Sequence, residues 1–261
     1  LEQVMEKIKS AADLGATTVL LQGGHNPDVP LDYYLDLVRE TVRRFPGVTP
    51  HFFTASEVTQ MSQVSGLSIR DVLLKLKEAG QRTLPGGGAE VLSDRIRRRL
   101  ATKKGGVEAW LSVHRQAHQL GFRSTATMMF GHIEEDEDLI THLEHIRTLQ
   151  DETHGFTAFV PWTFKPGNTP LEKAIKYHAG PTHYLRMIAL SRLYLDNFQH
   201  IQASWFSEGK KTGQISLHFG ADDFGGTLFE ENVHAATSFI NKTTVEEIVI
   251  LIEESGFQAA Q

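Results

Sequence analysis

Three features that define other classes of protein are missing from this 261-residue sequence. It contains no cysteine, which excludes both a disulfide-stabilised fold and a catalytic thiol. Long hydrophobic runs are also missing, because stretches such as 19–21 and 248–252 fall far short of the roughly 18 to 20 residues that a membrane-spanning helix needs. We therefore expect a protein that does not insert into a membrane.

An excess of positive charge is the third missing feature. The chain carries 26 basic and 32 acidic side chains, which gives a formal net charge of −6. Nucleic acids and anionic membrane surfaces attract proteins with clustered positive charge. We therefore expect no nucleic-acid partner. The 40% apolar content is enough to build a substantial core, and we expect a soluble, cytoplasmic protein.

Short apolar or β-branched segments alternate with helical patterns along the chain. Seven segments are predicted to be strands: 17–22, 50–54, 82–85, 123–130, 156–162, 201–205 and 215–219. Such alternation is typical of an α/β fold with a parallel sheet. The odd count, and the helical pattern that opens the chain over 1–14, favour a (β/α)8-type partial TIM barrel that lacks its first strand. An open doubly wound sheet is the alternative, and we expect a single domain over 1–261.

Local signals predict where several helices begin and end. Ser68 with Asp71, and Thr243 with Glu246, have the spacing of a capping box at a helix N-terminus. Gly80 stands where a helix is expected to end. These signals predict the ends of helices that lie between the predicted strands.

Glycines and polar side chains concentrate where the predicted strands end, which is the edge at which barrel enzymes carry their active sites. His25 and His132 directly follow strands, and each is either a proton carrier or an orienting group. The three glycines at 86–88 either let the backbone approach a ligand or make a tight turn before a helix that begins at Ala89.

Four acidic residues flank a second glycine-rich segment near the end of the chain. They are Asp222, Asp223, Glu230 and Glu231. A pair of carboxylates can bind hydroxyl groups or act as acid and base. The alternative is that Asp222 and Asp223 cap a following helix.

Two other patterns favour structural interpretations. His114 with His118, and His142 with His145, each lie on one face of a predicted helix, but neither pair has the glutamate of a zinc-binding helix. The basic run at 95–99 is predicted to be a solvated helix face, because no aromatic residue interrupts it.

Taken together, the strand ends resemble one known family. The sequence is similar to the radical S-adenosylmethionine enzymes of the futalosine route to menaquinone and of deazaflavin synthesis, and most similar to the cyclases that form cyclic dehypoxanthine futalosine. The segments that carry the resemblance are LLQGGHNPDVPLDYYLDLVR, LPGGGAEVLSDRIRRRLATKK, STATMMFGHIE, DETHGFTAFVPWTFKPGNTPL, IQASW and FGADDFGGTLFEENV.

The resemblance implies two cofactors. In this family three cysteines after the first strand hold a [4Fe-4S] cluster, to which S-adenosylmethionine binds, and a 5'-deoxyadenosyl radical results. The cyclases use it to take a hydrogen from the ribose of dehypoxanthine futalosine. Since this chain has no cysteine and begins with Leu1, we expect the cluster ligands upstream of residue 1 and no activity from the 261 residues alone.

The family's roles carry over to positions of this sequence. Gly23, Gly24, Glu90, Met129 and Gly131 correspond to cofactor-binding positions. His25 and Glu231 are the candidates for taking the final proton. Strand alternation or position at the strand ends makes a further set candidates for substrate contact: Thr54, Glu57, Thr125, His132, Trp162, Gln202, Ser204 and Asp222.

The resemblance also implies partners and leaves alternatives open. We expect a nucleoside substrate and a reductant such as flavodoxin or ferredoxin. An aminofutalosine synthase, a deazaflavin-forming subunit and a non-catalytic nucleoside-binding barrel are alternatives. A metal-dependent hydrolase that uses His25, His132 and Asp222 is a further one.

Overall fold

The computed structural model describes residues 1–167, 170–175, 178–228 and 241–260. Their contacts divide the chain into two compact units that alternate along the sequence. Unit 1 comprises Leu1–Gly88, Arg97–Ala126 and Leu149–Phe156, and unit 2 comprises Ala89–Ile96, Thr127–Thr148 and Thr157–Gln261. The expectation of a single domain over 1–261 stays a prediction.

Helices and strands alternate through most of the described residues. The first part of the chain forms α1 (Glu2–Asp13), β1 (Thr18–Leu21), α2 (Leu31–Arg44), β2 (Thr49–Phe52), α3 (Ala55–Ser65), α4 (Ile69–Ala79), β3 (Thr83–Leu84), α5 (Asp94–Leu100) and α6 (Val107–Gln119). The rest forms β4 (Arg123–Phe130), α7 (Asp136–Thr153), β5 (Phe156–Thr163), α8 (Pro181–Tyr194), β6 (His200–Ile201), α9 (Trp205–Glu208), α10 (Lys210–Ser216) and α11 (Val245–Glu254), with short 3-10 helices at Pro170–Ala174 and Leu217–Phe219.

The strands pair in parallel, as predicted. Strands β1 and β2 form a two-stranded sheet in which Thr18 lies opposite Thr49. The other four strands form a sheet in the order β3-β4-β5-β6, in which β3 pairs with β4 and β5 with β6 in parallel. The α/β class is therefore confirmed, and parallel sheets are compatible with a partial barrel.

One predicted strand is wrong. Residues 215–219 lie in the end of α10 and in the 3-10 helix Leu217–Phe219. Ile215 and Phe219 alternate with polar residues as strand residues do, but both are largely exposed, and Leu217 is the buried apolar residue of the three. The chain returns to the sheet later, where Asp223 makes an isolated parallel bridge with Gln202.

Capping residues fix several helix ends. The Ser68 hydroxyl accepts a hydrogen bond from the backbone of Asp71, as predicted, and Gly80 ends α4 with a φ of 115°. The second predicted capping box is shifted by one residue, because Thr244 caps α11 and accepts from the backbone of Glu247. Thr54 and Glu57 form a full capping box at the start of α3.

Strand β4 shows how alternation prepares a site. Its burial alternates, with Ser124, Ala126, Met128 and Phe130 buried and Thr125, Thr127 and Met129 partly exposed. Successive side chains of a strand point to opposite faces, so one face packs into the core and the other stays accessible. Among the described residues, no helix is both long enough and apolar enough to cross a membrane.

Candidate functional site

A buried carboxylate joins the ends of β1 and β2 in unit 1. Glu57 accepts hydrogen bonds from the backbone N–H of Gly23 at 2.7 Å, and from the backbone N–H and the hydroxyl of Thr54, both at 2.8 Å. A fully engaged buried carboxylate fixes the backbone around it. Glu57 therefore positions Gly23, and its predicted contact with substrate stays a prediction.

Gly24 offers open backbone next to this carboxylate. Its φ of 78° lies in the left-handed region, and a Cβ built there would meet no atom within 4 Å. Exposed backbone at a glycine is suited to hydrogen bonding with a polar ligand. Gly24 is therefore the more accessible of the two glycines predicted to bind cofactor.

The glycines at 86–88 are required by crowding. A Cβ at Gly86 would overlap the backbone carbonyl of Thr125, and the Gly86 N–H donates to the Thr125 hydroxyl at 3.0 Å. A Cβ at Gly87 would lie 2.7 Å from Nε2 of Gln22 and 3.3 Å from Cγ2 of Thr54. The segment therefore brings bare backbone close to β4, β1 and β2.

The helix predicted to start at Ala89 is wrong. Residues 89–93 are not helical, and α5 begins at Asp94. Glu90 adopts a φ of 51°, a conformation that a helix excludes, and its carbonyl accepts a hydrogen bond from the Met129 N–H at 2.9 Å. The backbone is therefore tied to β4 at two residues that are predicted to bind the cofactor.

The prediction that the run 95–99 is a solvated face is wrong for Arg97. Its relative exposure is 1%, and its guanidinium donates to three backbone carbonyls: those of Gly88 at 2.9 Å, Gly105 at 2.9 Å and Lys104 at 3.0 Å. A guanidinium presents its donors in a rigid plane. Arg97 therefore holds the glycine segment and the loop after α5 in fixed positions. Nothing in the sequence distinguishes it from the neighbouring arginines.

In unit 2, a second buried carboxylate closes the end of β4. Glu134 accepts from the N–H groups of Gly131 and of His132. The imidazole of His132 is buried, lies 2.8 Å from this carboxylate and bonds through Nε2 to the Met129 carbonyl at 2.9 Å. Burial alone would raise the pKa of Glu134, but His132 and the two N–H groups lower it to about 2.

Gly131 has no room for a side chain. Its φ is 89°, and a Cβ there would lie 2.5 Å from Cβ of Ala179. The turn made by Gly131, His132 and Glu134 is therefore rigid, and it presents Met129 from a fixed strand end. The predicted substrate contact of His132 stays a prediction, because its imidazole is already engaged by these protein groups.

The sequence reasoning missed a third buried carboxylate, in unit 2. Glu208 accepts from the backbone and hydroxyl of Thr163 at 3.0 and 2.6 Å, and from the hydroxyl of Ser207 at 2.8 Å. The ammonium of Lys165 lies 3.3 Å from the same carboxylate and donates to the Thr163 hydroxyl at 2.7 Å. Burial lowers the pKa of Lys165. No spacing in the sequence points to this pair, because the two residues lie on different elements.

Two further predicted site residues act within the fold. Ser204 is fully buried. Its N–H donates to the Tyr184 hydroxyl at 2.7 Å, and its own hydroxyl donates to the Pro161 carbonyl at 2.6 Å. Asp222 accepts from Arg192 at 2.5 Å and from the N–H of Ile201 at 2.8 Å. Their predicted contacts with substrate stay predictions.

Asp222 is exposed, and several of the remaining predicted residues are partly exposed. Partly exposed side chains that follow or end strands are those of His25, Glu90, Thr125, Met129, Trp162 and Gln202. Of the two candidates for taking a proton, His25 is therefore accessible to solvent. Glu231 lies outside the described residues, as does Glu230.

His114 and His118 belong to a buried hydrogen-bond chain in unit 1. The Thr153 hydroxyl donates to the Leu149 carbonyl, so it accepts from Nδ1 of His118 at 2.8 Å. Burial lowers the pKa of His118 to about 4, so the ring is neutral and its Nε2 accepts from the Ser124 hydroxyl at 2.7 Å. Ser124 in turn accepts from Nδ1 of His114 at 3.1 Å. Both histidines therefore have a structural role in the core.

The residues present differ in how well they suit the two expected cofactors. Thiolates hold an iron–sulfur cluster, and these 261 residues contain no cysteine. Among the described residues, no group of three or more His, Asp or Glu side chains is placed to hold a metal ion. The open backbone at Gly24, in contrast, suits the polar groups of a small molecule such as S-adenosylmethionine.

Comparison with known proteins agrees with this geometry. Residues 1–146 match the Radical SAM superfamily. The crystal structure of methylornithine synthase (PylB) has the same fold, with a TM-score of 0.69 and 19% identity over 98% of this chain and 74% of that one. The chain therefore belongs to the radical S-adenosylmethionine superfamily, whose members are enzymes.

The second half of the chain matches a more specific family. Residues 153–261 match the CofH/MqnC C-terminal region. The cyclic dehypoxanthine futalosine synthase of Halalkalibacterium halodurans is 42% identical over 260 residues, which is 100% of this chain and 70% of that protein. The aminodeoxyfutalosine synthase of Thermus thermophilus is 43% identical over 240 residues, which is 91% of this chain and 64% of that protein.

A third relative carries a different name. The 5-amino-6-(D-ribitylamino)uracil--L-tyrosine 4-hydroxyphenyl transferase 1 of Methanosarcina mazei is 41% identical over 263 residues, which is 98% of this chain and 70% of that protein. The chain thus spans about two thirds of the length of the curated relatives that it matches. These relatives place it among enzymes of the futalosine-pathway type.

Proposed function

We propose that this chain is part of a radical S-adenosylmethionine cyclase that converts dehypoxanthine futalosine to cyclic dehypoxanthine futalosine in menaquinone biosynthesis. The observation that carries the proposal is the 42% identity with the synthase of H. halodurans, which extends over 260 residues and so includes every strand end described above.

The chain's own residues would bind and orient the reactants. The open backbone of Gly24 and the partly exposed Glu90 and Met129 would hold S-adenosylmethionine. When bound with its cluster, this cofactor supplies a 5'-deoxyadenosyl radical. The thiolates that bind the cluster would come from residues other than these 261, which include no cysteine.

The accessible strand ends would receive the nucleoside. Thr125, Trp162 and Gln202 are partly exposed and Asp222 is exposed, so these predicted substrate contacts have surface to offer. His25 would take the proton that is lost when the cyclised product forms. A reductant such as flavodoxin or ferredoxin, and a cytoplasmic location, belong to the same proposal.

An anaerobic assay of the full-length protein tests the proposal. With a reconstituted cluster, S-adenosylmethionine and dehypoxanthine futalosine, we expect 5'-deoxyadenosine and the cyclic product in equal amounts. We expect His25→Gln to lose most product, and His145→Gln, a half-buried histidine of α7, to retain it. Full activity of His25→Gln would contradict the assignment of His25.

An aminodeoxyfutalosine synthase is the second candidate, because that relative from T. thermophilus is 43% identical over 240 residues. The same assay, repeated with the substrate of that synthase beside dehypoxanthine futalosine, separates the two functions by product. Formation of aminodeoxyfutalosine, with no turnover of dehypoxanthine futalosine, would replace the first proposal with the second. A bound cluster without any deoxyadenosine would favour a non-catalytic nucleoside-binding barrel.

A further inference from the structure

A run of basic residues lies in and directly after α5. Residues 95–104 include six basic side chains and no acidic one, although the chain as a whole carries a net charge of −6. Two of the six have structural partners, because Arg95 pairs with Asp138 and the buried Arg97 binds backbone carbonyls. These two side chains are therefore part of the fold, and the outward-facing members of the run are not explained by it.

Three basic side chains of this run are exposed and unpaired. Arg98, Arg99 and Lys103 are exposed, and their side chains make no ion pair or hydrogen bond with any part of the chain that the structure describes. Surface arginines of α2 are instead paired within their own helix, as Arg39 is with Asp36 at 3.0 Å. The basic patch, defined as Arg98, Arg99 and Lys103, therefore presents positive charge to solvent.

Arg97 ties the basic patch to the strand ends of unit 1. Its guanidinium donates to the carbonyls of Gly88 and Gly105, both at 2.9 Å, and of Lys104 at 3.0 Å. The basic patch begins at the next residue of the same helix and ends in the loop that these bonds hold. Because a guanidinium presents its donors in a rigid plane, the patch has a fixed place near the carboxyl end of β3.

Charge complementarity favours a compact acidic protein as the partner of this patch. Nucleic acids and anionic membranes are extended polyanions, and the net charge of −6 opposes their approach to the chain. A compact partner can meet the patch alone, because charges more than about 10 Å apart are largely screened at about 0.1 M salt. In the proposed function, on which this inference rests, the enzyme takes electrons from a reductant, and an acidic electron carrier is such a partner.

We propose that the basic patch is a docking surface for an acidic electron-transfer protein of the flavodoxin class. The three cations would pair with carboxylates of that protein and increase its rate of association. The flavin hydroquinone of such a carrier loses one electron without a change in its protons, and the enzyme gains that electron. Arg97 is a positioning residue, because it fixes the backbone that carries the patch.

Calorimetric titration of the full-length protein with flavodoxin tests the docking surface without requiring turnover. Arg98→Gln with Arg99→Gln is compared with Arg70→Gln with Lys75→Gln, which removes two exposed charges of α4 that have no ion pair among the described residues either. At low ionic strength, we expect the first pair to weaken binding about fivefold and the control pair to change it little. Adding Lys103→Gln should bring the loss to about tenfold, and high salt should reduce it.

Turnover with two reductants separates docking from chemistry. With flavodoxin, we expect Arg98→Gln with Arg99→Gln to raise the KM for flavodoxin and to leave kcat unchanged. With dithionite, a small reductant that needs no docking surface, the same variant should form as much product as the unaltered protein. If flavodoxin binds as expected and the unaltered protein forms no cyclic product with either reductant, the proposed function fails and the docking surface stands.

Equal binding of flavodoxin to the patch variant and the control variant would overturn the inference, as would a loss that high salt leaves unchanged. Vesicles of phosphatidylglycerol and single-stranded DNA are the probes for other anionic partners. If either bound more tightly than flavodoxin, and Arg98→Gln with Arg99→Gln removed that binding, the patch would belong to that partner instead. Unfolding midpoints in urea identify a variant that has lost its fold, and Lys103→Gln alone then decides the matter.

Discussion

The strand ends of the two units use buried charge in different ways. In unit 1, the carboxylate of Glu57 is held by the neutral donors of Gly23 and Thr54. In unit 2, the carboxylate of Glu208 is held by the ammonium group of Lys165 as well as by hydroxyl groups.

The two carboxylates differ in what the loss of their charge removes. Neutralising a carboxylate that is paired with an ammonium group breaks a buried ion pair, whereas neutralising one that is held by neutral donors does not. The charge of Glu208 is therefore part of an ion pair, and the charge of Glu57 is not paired with these donors. Substitutions that keep shape but remove charge should therefore affect the two units unequally.

The largest effect is expected for Glu208→Gln in unit 2. This change removes the negative charge that Glu208 places beside the Lys165 ammonium group, and the free energy of unfolding should fall by about 3 kcal/mol. Urea unfolding of the full-length protein measures the loss. The double variant Lys165→Met with Glu208→Gln should recover much of it. A loss as small as that of a surface substitution would show that solvent already screens the pair.

A pH titration of stability should give nearly as large an effect and separate the units. The pKa of His118 in unit 1 is about 4 in the fold against 6.5 for an unperturbed histidine, so the unfolded chain binds the proton first as pH falls. The contribution of His118 to the free energy of unfolding is complete above pH 6.5. It is lost between pH 6.5 and 4, and it amounts to about 3 kcal/mol at most.

Glu134 in unit 2 titrates in a lower range. Its pKa of about 2 lies below the usual 4.5, so its contribution is present above pH 4.5 and is lost as pH falls toward 2. Unfolding free energies measured from pH 7 to 3 test both. His118→Gln should reduce the loss of stability in the upper range, where burial also lowers the pKa of His51 and of His114, and Glu134→Gln should reduce the loss in the lower range. If His118→Gln instead changed the loss of stability in the lower pH range, the assignment of the upper range to His118 would be wrong.

Glu57→Gln in unit 1 should cost less than Glu208→Gln, about 1 to 2 kcal/mol. A glutamine oxygen can still accept from one of the N–H donors of Gly23 and Thr54, and because these donors are neutral, removing the charge breaks no ion pair with them. Urea unfolding under the same conditions gives the comparison. Equal losses for the two glutamines would remove the distinction drawn between the units.

The smallest effect is expected for the helix caps, one in each unit. Ser68→Ala in unit 1 and Thr244→Ala in unit 2 each remove a side-chain acceptor from a helix N-terminus, at a cost of about 1 kcal/mol. Calorimetry shows whether the two substitutions lower the temperature of one shared unfolding transition, or whether each lowers that of a separate transition. Thr243→Ala, next to the second cap, is the control and should change the transition less.

Local patterns predicted much of the fold and less of the site. Six of the seven predicted strands correspond to observed ones, because short buried runs between helical patterns are a local property of the sequence. The seventh failed because Ile215 and Phe219 alternate like strand residues while lying exposed on helical turns. Periodicity reports the spacing of apolar residues and does not report whether they are buried.

The contacts that define the site are formed across the chain, which explains why the sequence did not predict them. Arg97 bonds to Gly88 and Gly105, and Glu208 meets Lys165 from another element. The glycines at 86–88 stand out because a missing side chain is visible in the sequence, but the protein atoms that crowd Gly86 and Gly87 are not visible there. The predicted approach of this segment to a ligand stays a prediction.

The buried chain from His114 to Leu149 gives each histidine a fixed proton position. Both rings are held in the Nδ1–H tautomer, whose Nε2 carries a lone pair. In His118 that lone pair accepts from Ser124, and in His114 it has no hydrogen-bond partner among the described residues. Nitrogen-15 spectra of the isotopically enriched protein should therefore separate these two rings from the other histidines, and from each other.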